Sequence, residues 1–249
     1  MTYSVALAGK GGTGKTTMAG LLIKYLVEKG KKPVLAVDAD ANANLNEVLG
    51  LEVTETIGDA REQMRTNVDV GMTKDVFMEM KLQQAVVESE GYDLIVMGRP
   101  EGTGCYCAAN TLLTQYLEKL IDNYPYIVMD NEAGMEHISR LTTNNIDLLI
   151  AVSDASRRGI QAASRIIHLS EELHLNIGQK VLVVNRADKD RREALDAAAS
   201  DFGLEIVGMV PENSGITEFD LQGRPTVALE KGNEAVKAAN EIFDQIIQG

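Results

Sequence analysis

A doubly wound α/β fold, with a mostly parallel sheet covered by helices on both faces, is what this sequence predicts. Three observations carry that expectation. Short β-branched apolar runs alternate with amphipathic stretches along the chain, most of those runs are continuously apolar, and a glycine-rich loop separates the first run from the first helical stretch. Continuous apolar runs fit strands buried on both faces. Repeated strand–helix alternation implies crossover connections and parallel neighbours. The 249 residues, 45% hydrophobic, are enough for one large domain with a substantial core. With no linker-like stretch or internal repeat to divide them, residues 1–249 are expected to form a single domain.

In chain order the expected strands are Ser4–Ala8, Pro33–Val37, Asp93–Met97, Tyr126–Met129, Leu148–Val152, Lys180–Val184 and Glu205–Val210. Leu112, Leu113, Tyr116, Leu117, Leu120 and Ile121 recur with helical period, as do Ala235, Val236, Ala239, Ile242, Phe243, Ile246 and Ile247 near the end. Ligands of such folds sit beyond the carboxyl ends of the strands.

Lysine and arginine number 24 against 37 aspartate and glutamate, a formal charge of −13. That balance disfavours nucleic acid, which needs clustered cations against phosphate, and equally an anionic membrane surface. Aromatics are 4% of the chain and tryptophan is absent, so base-stacking platforms are poorly supplied. The N-terminus lacks the features of a secretory signal, and no apolar run is long enough to span a bilayer. A cytoplasmic location is expected. Two cysteines one residue apart are not a disulfide framework.

Gly9-Lys10-Gly11-Gly12-Thr13-Gly14-Lys15-Thr16-Thr17 satisfies G-x-x-x-x-G-K-[ST], with a strand before it and a helical run after. The glycines let backbone N–H groups curl around phosphate oxygens, and the helix N-terminus adds its dipole there. Lys15 is expected on the β- and γ-phosphates, and the Thr16 hydroxyl on Mg²⁺. Three aspartates end apolar strands at the same sheet edge: Asp38 and Asp40, and Asp130, the last followed by Asn131-Glu132-Ala133-Gly134. Asp130 suits a Mg²⁺ ligand, direct or through water, and Gly134 a backbone donor to the γ-phosphate. Asn185-Arg186-Ala187-Asp188 follows a later strand. It fits an asparagine that reads adenine through its carboxamide, and it also fits the N-[KR]-x-D guanine motif, in which the aspartate binds the base.

The loop's additional lysine, Lys10, resembles the deviant Walker A pattern of the MinD/ParA/nitrogenase-iron-protein group of ATPases. That resemblance implies ATP and ADP as ligands and a homodimer in which Lys10 reaches the partner's nucleotide. It further implies that Asp40 positions the hydrolytic water while Asp38 stands nearer the Mg²⁺ water shell. Asn185 and Arg186 would lie at the base, with the Pro211-Glu212-Asn213 turn covering it.

Cys105-Tyr106-Cys107 follows Gly102 and Gly104. Two thiolates are half of a tetrahedral soft-metal site, and a twofold axis would bring a matching pair to complete it. The same two residues also fit small packing side chains or a strained redox pair. The segment Val96-Met-Gly-Arg-Pro-Glu-Gly-Thr-Gly-Cys-Tyr-Cys107, with Met129-Asp-Asn-Glu-Ala-Gly-Met-Glu-His137, resembles the CooC/AcsF family. These are accessory ATPases that mature the nickel sites of carbon monoxide dehydrogenase and acetyl-CoA synthase. The resemblance implies Ni²⁺, or Zn²⁺ in competition, at Cys105 and Cys107 between protomers, with one of those enzymes as client. A positioning switch like MinD or ParA, without a metal role, is the alternative. Asn240–Gly249 disfavours membrane anchoring, since the polar face of that segment is acidic. Met64, Met72, Met78, Met80 and Met97 are read as core filler.

Overall fold

The computed structural model describes residues 2–40, 42–66, 73–98, 118, 120–131 and 145–247. Its described strands form one eight-stranded sheet in the order β3-β4-β2-β5-β1-β6-β7-β8. They are β1 (Tyr3–Ala8), β2 (Val34–Ala39), β3 (Val86–Glu88), β4 (Tyr92–Val96), β5 (Tyr126–Asn131), β6 (Asn145–Asp154), β7 (Asn176–Asn185) and β8 (Ile206–Val210). Every neighbouring pair is parallel except β3–β4.

All seven expected strands are present. β3 was not foreseen. It is three residues long, antiparallel and at the sheet edge, too short to leave a pattern in the sequence. β6 and β7 also begin earlier than their apolar runs, with Asn145-Ile-Asp147 and Asn176-Ile-Gly-Gln179. Each extension brings one isoleucine, Ile146 or Ile177, onto the second face, too little to read as a strand in the sequence.

The helices are α1 (Lys15–Glu28), α2 (Leu45–Leu49), α3 (Ile57–Thr66), α4 (Lys74–Gln84), α5 (Arg157–Glu172), α6 (Arg192–Ser200), α7 (Ser214–Leu221) and α8 (Glu234–Ile246). Alternate strand residues feed opposite faces, as the pleat requires. Val5 and Leu7 of β1, with Val34 and Ala36 of β2, pack against α1, α2 and α8. Ala6, Ala8, Leu35 and Val37 point the other way, toward Ile57 and Ala60 of α3 and Phe77 of α4. Further along that second face, Ile160 and Ile167 of α5 and Leu195 of α6 cover Leu182 and Val184 of β7. The helical period read at the C-terminus holds: Ala235, Val236, Ala239, Ile242, Phe243, Ile246 and Ile247 are all buried. Each large apolar side chain among them contributes roughly 1.5–3 kcal/mol. Of the other expected helix, Leu120 and Ile121 pack on the second face, whereas residues 112–117 lie outside the described residues. Met80 and Met97 pack on the same face, in keeping with a filling role.

The chain leaves β1 for one side of the sheet, returns to β5 beside β1, and then crosses to β6. The carboxyl ends of β1, β2 and β5 therefore open on one crevice, where the connections diverge.

Candidate functional site: a phosphate loop and two buried carboxylates

The glycine-rich loop links β1 to α1. Gly14 is the N-cap of α1 with φ 86°, no side chain caps the helix, and its first turn carries no acidic residue. The first amides and the helix dipole are thus left to an external anion. Gly12 also has positive φ, 80°. Two glycines of this loop are set by close approach. A β-carbon on Gly9 would lie 2.3 Å from the Val152 carbonyl oxygen, and one on Gly14 would lie 2.3 Å from Asn185 Nδ2.

The carbonyl of Lys10 gathers the loop. It accepts hydrogen bonds from Thr13 N (3.3 Å), Thr13 Oγ1 (2.9 Å) and Lys15 Nζ (3.4 Å). Lys15 is buried, while Lys10 and Gly11 are exposed at the crest.

The parallel register sets Asp38 of β2 directly beside Asp130 of β5, and both are essentially inaccessible to solvent. Asp38 accepts hydrogen bonds from Asp40 N (3.0 Å) and Leu45 N (2.9 Å), so it ties down the start of α2. Burial nevertheless raises its pKa. Asp130 is pushed up to about 7, chiefly by burial, with the negative charges of Asp38 and Asp40 adding to it. The Thr16 hydroxyl, donating to the carboxylate, and the Lys15 ammonium act in the opposite direction. One oxygen, Asp130 Oδ1, is buried with no hydrogen-bond partner. A buried carboxyl oxygen lacking a donor, beside a threonine hydroxyl and a second carboxylate, is a donor set suited to a hard divalent cation. Mg²⁺ fits Thr16, Asp130 and Asp38. Asp40 follows β2, with its carboxylate accepting from Asn42 N at 2.8 Å.

A cavity of about 870 Å³ opens over the loop, lined by Gly11, Gly12, Gly14, Lys15, Thr16, Thr17 and Asp40. A second, of about 360 Å³, continues past Thr17 and is lined by Asn185, Arg186, Pro211 and Glu212. The expected base-site residues therefore do converge beside the phosphate loop. Asn185 Nδ2 donates to the Thr13 carbonyl at 2.9 Å, so one amide hydrogen holds the loop while the side chain also borders the cavity. Asn213 pins the covering turn: it caps α7 through Gly215 N and Ile216 N, and it accepts from Asn233 Nδ2 at 2.8 Å.

Asp188 is not in this cavity. It lines a separate groove beside β8 and α8, exposed and 3.8 Å from Arg191. The guanine reading needed a carboxylate at the base, and the turn after Asn185 carries it elsewhere.

Sequence reasoning missed several lining residues. Asn42, Asn44, Asn46, Asp220, Arg224 and Thr226 all border the larger cavity. Asp220 and Thr226 border both cavities. They come from α2 and the segment before it, from α7, and from the turn after α7, and no motif announces them. Asn131, fully buried, donates to the Leu7 carbonyl at 3.0 Å and locks β5 to β1 just beyond Asp130.

Gly134, Cys105, Cys107 and His137 lie outside the described residues. Among the described residues no group of three or more His, Cys, Asp or Glu is arranged to hold a metal ion, and no helix is long and apolar enough to cross a membrane.

Comparison with known proteins agrees with this geometry. The family model described as the CobQ/CobB/MinD/ParA nucleotide binding domain matches residues 4–227. An uncharacterized ATP-binding protein of Methanocaldococcus jannaschii is 43% identical over 248 residues, 98% of each chain. The carbon monoxide dehydrogenase accessory protein CooC of Rhodospirillum rubrum is 29% identical over 233 residues, 88% of this chain and 87% of that one. Among solved structures, the septum site-determining protein MinD of Pyrococcus horikoshii, in complex with Mg-ADP, superposes with a TM-score of 0.73 at 21% identity, covering 100% of this chain and 97% of that one. On the phosphate loop, the buried carboxylates and these matches, the chain belongs to the CobQ/CobB/MinD/ParA family of nucleotide-binding proteins.

Proposed function

We propose that the chain is a single-domain Mg-ATP hydrolase that works as a homodimer and carries nickel into carbon monoxide dehydrogenase or acetyl-CoA synthase. The observation that carries the enzymatic part is the buried, partnerless Asp130 Oδ1 beside Thr16 and Lys15. That arrangement is costly when empty and relieved by a cation–phosphate pair. Thr16 and Asp130, with Asp38 nearby, would hold Mg²⁺, which would neutralise charge on the bound phosphates. The residues do the rest. Lys15 leaves the Lys10 carbonyl for the phosphates, the amides of Gly11–Gly14 and of Gly134 donate to phosphate oxygens, and Asp40 orients the attacking water. Asn185, Arg186, Pro211 and Glu212 hold the base end, and Lys10, exposed at the crest, serves the nucleotide of the second protomer.

The cargo part rests on Cys105 and Cys107 and on the CooC relative. Two sulfurs from each protomer make a four-thiolate site for Ni²⁺, or for Zn²⁺ in competition. A nucleotide that favours one dimer state must then bias the metal affinity. Anaerobic size-exclusion chromatography with metal analysis, with and without ATP analogue, tests the reading. One Ni²⁺ per dimer, lost in Cys105→Ala, is expected; undiminished binding in that variant, or a strict monomer under nucleotide and metal together, overturns it.

A second reading, an ATP-dependent positioning switch, draws on the MinD of Bacillus subtilis, 28% identical over 251 residues. The apolar face of α8 is packed against α1 and β8 and so is not offered to a lipid surface. ATP-dependent co-sedimentation with anionic vesicles, without metal binding, would favour this second reading.

A further inference from the structure

A cradle built from backbone works only when its carbonyls face away from the anion, because N–H and C=O of a peptide unit point in opposite directions. In this loop the carbonyls of Lys10, Gly12 and Thr13 have identified holders. That of Lys10 is held from within the loop itself, by Thr13 and Lys15. The next two tethers come from far along the chain. Asn185 Nδ2 donates to the Thr13 carbonyl at 2.9 Å, and Arg186 Nη1 donates to the Gly12 carbonyl at 3.3 Å, across sequence separations of 172 and 174. Arg186 does this from a left-handed backbone, φ 54°, a conformation that residues with a β-carbon rarely adopt. Such a conformation persists only where its surroundings hold it, and it gathers at functional sites.

We propose that Arg186 is a positioning residue for the phosphate loop. By holding the Gly12 carbonyl outward it fixes the Gly12–Thr13 peptide unit, whose Thr13 amide meets the Lys10 carbonyl, and so sets the shape of the cradle before any nucleotide arrives. Its contribution to binding is therefore made through the phosphates and does not require the base, although Arg186 also borders the base cavity. This deepens the nucleotide-binding reading and rests on it.

The test uses the full chain and two ligands, Mg-ATP and base-free inorganic tripolyphosphate with Mg²⁺, titrated calorimetrically against wild type and Arg186→Gly. Glycine adopts positive φ freely, so the turn is kept and only the side chain is lost. Both ligands should weaken by the same factor, about fivefold, the usual worth of one hydrogen bond. The amide resonances of Gly12, Thr13 and Gly14 should also shift in the nucleotide-free variant. Weakened ATP with unchanged tripolyphosphate would assign Arg186 to the base or ribose and overturn the proposal. Equal weakening with unmoved loop resonances would assign it to direct attraction of phosphate, and unchanged affinities would leave it no role; either result overturns the proposal too. A wild-type protein that binds neither ligand would remove the nucleotide site itself, a failure distinct from the other three.

Discussion

The two halves of the sheet that flank β1 meet the nucleotide site with opposite chemistry. On one side, β2 and β5 end in Asp38 and Asp130, side by side, buried, one of them with an oxygen that no donor satisfies. On the other, β7 ends in Asn185 and is followed by Arg186, each with a donor engaged on a loop carbonyl. The β7 side is settled before ligand arrives, and the β2–β5 side is settled by the ligand. A site of this kind is rigid where it must receive phosphate and electrostatically unsatisfied where it must receive a cation. Affinity for the metal–nucleotide pair thus draws on relief of stress already present in the fold.

Four substitutions break or sharpen that contrast. Lys15→Ala removes the buried cation of the loop between the halves, and ATP affinity should fall about 100-fold or more by calorimetry. Asp130→Asn should act in the opposite sense on the nucleotide-free protein. Burial holds the Asp130 carboxyl protonated up to about pH 7, whereas an exposed aspartate loses its proton near 3.8. The favourable contribution is therefore full below pH 4 and lost as pH rises through 7. A titration moved by about three pH units bounds the effect at about 4 kcal/mol, and relaxation of the site should leave about 2 kcal/mol. Thermal melts should show the asparagine variant more stable than wild type at pH 8 and equal to it near pH 4, while Mg-ATP no longer stabilises it.

Gly14→Ala probes the settled side. Its β-carbon would lie 2.3 Å from Asn185 Nδ2 on a backbone with φ 86°, so stability should drop by about 1–2 kcal/mol and ATP affinity with it. Asp188→Ala is the smallest. With that carboxylate outside both nucleotide cavities, the ratio of ATP to GTP affinity should change by less than about twofold; a large change would bring the guanine reading back.

The legible parts of the molecule were those with dense local signal. Continuous apolar strands, the glycine loop and strand-terminal aspartates are set by short-range rules, and each lies where those rules put it. β3 escaped notice because an edge strand of three residues with one antiparallel neighbour carries no period. The flanks of β6 and β7 escaped because a single isoleucine in each, Ile146 and Ile177, leaves no period to read. Within the site, Lys15 and Thr16 were readable from the motif alone, but Asp220, Arg224 and Thr226 arrive at the cavity only through the long-range packing of α7 and its following turn. The N-R-x-D run shows the converse. Four residues in a familiar order suggested a purine site for the last of them, yet the positive φ at Arg186 begins a turn that takes Asp188 to another face.

Lys15 Nζ lies 3.4 Å from the carbonyl of Lys10 in the same loop, and this self-contact acts as a sieve. An incoming anion must outcompete an internal oxygen for the ammonium while surrendering its own hydration. A polyphosphate chain offers further oxygens to the ammonium and the glycine amides, and each added contact comes without a further loss of freedom. Tripolyphosphate should therefore compete for the loop better than orthophosphate does, with no base attached to either.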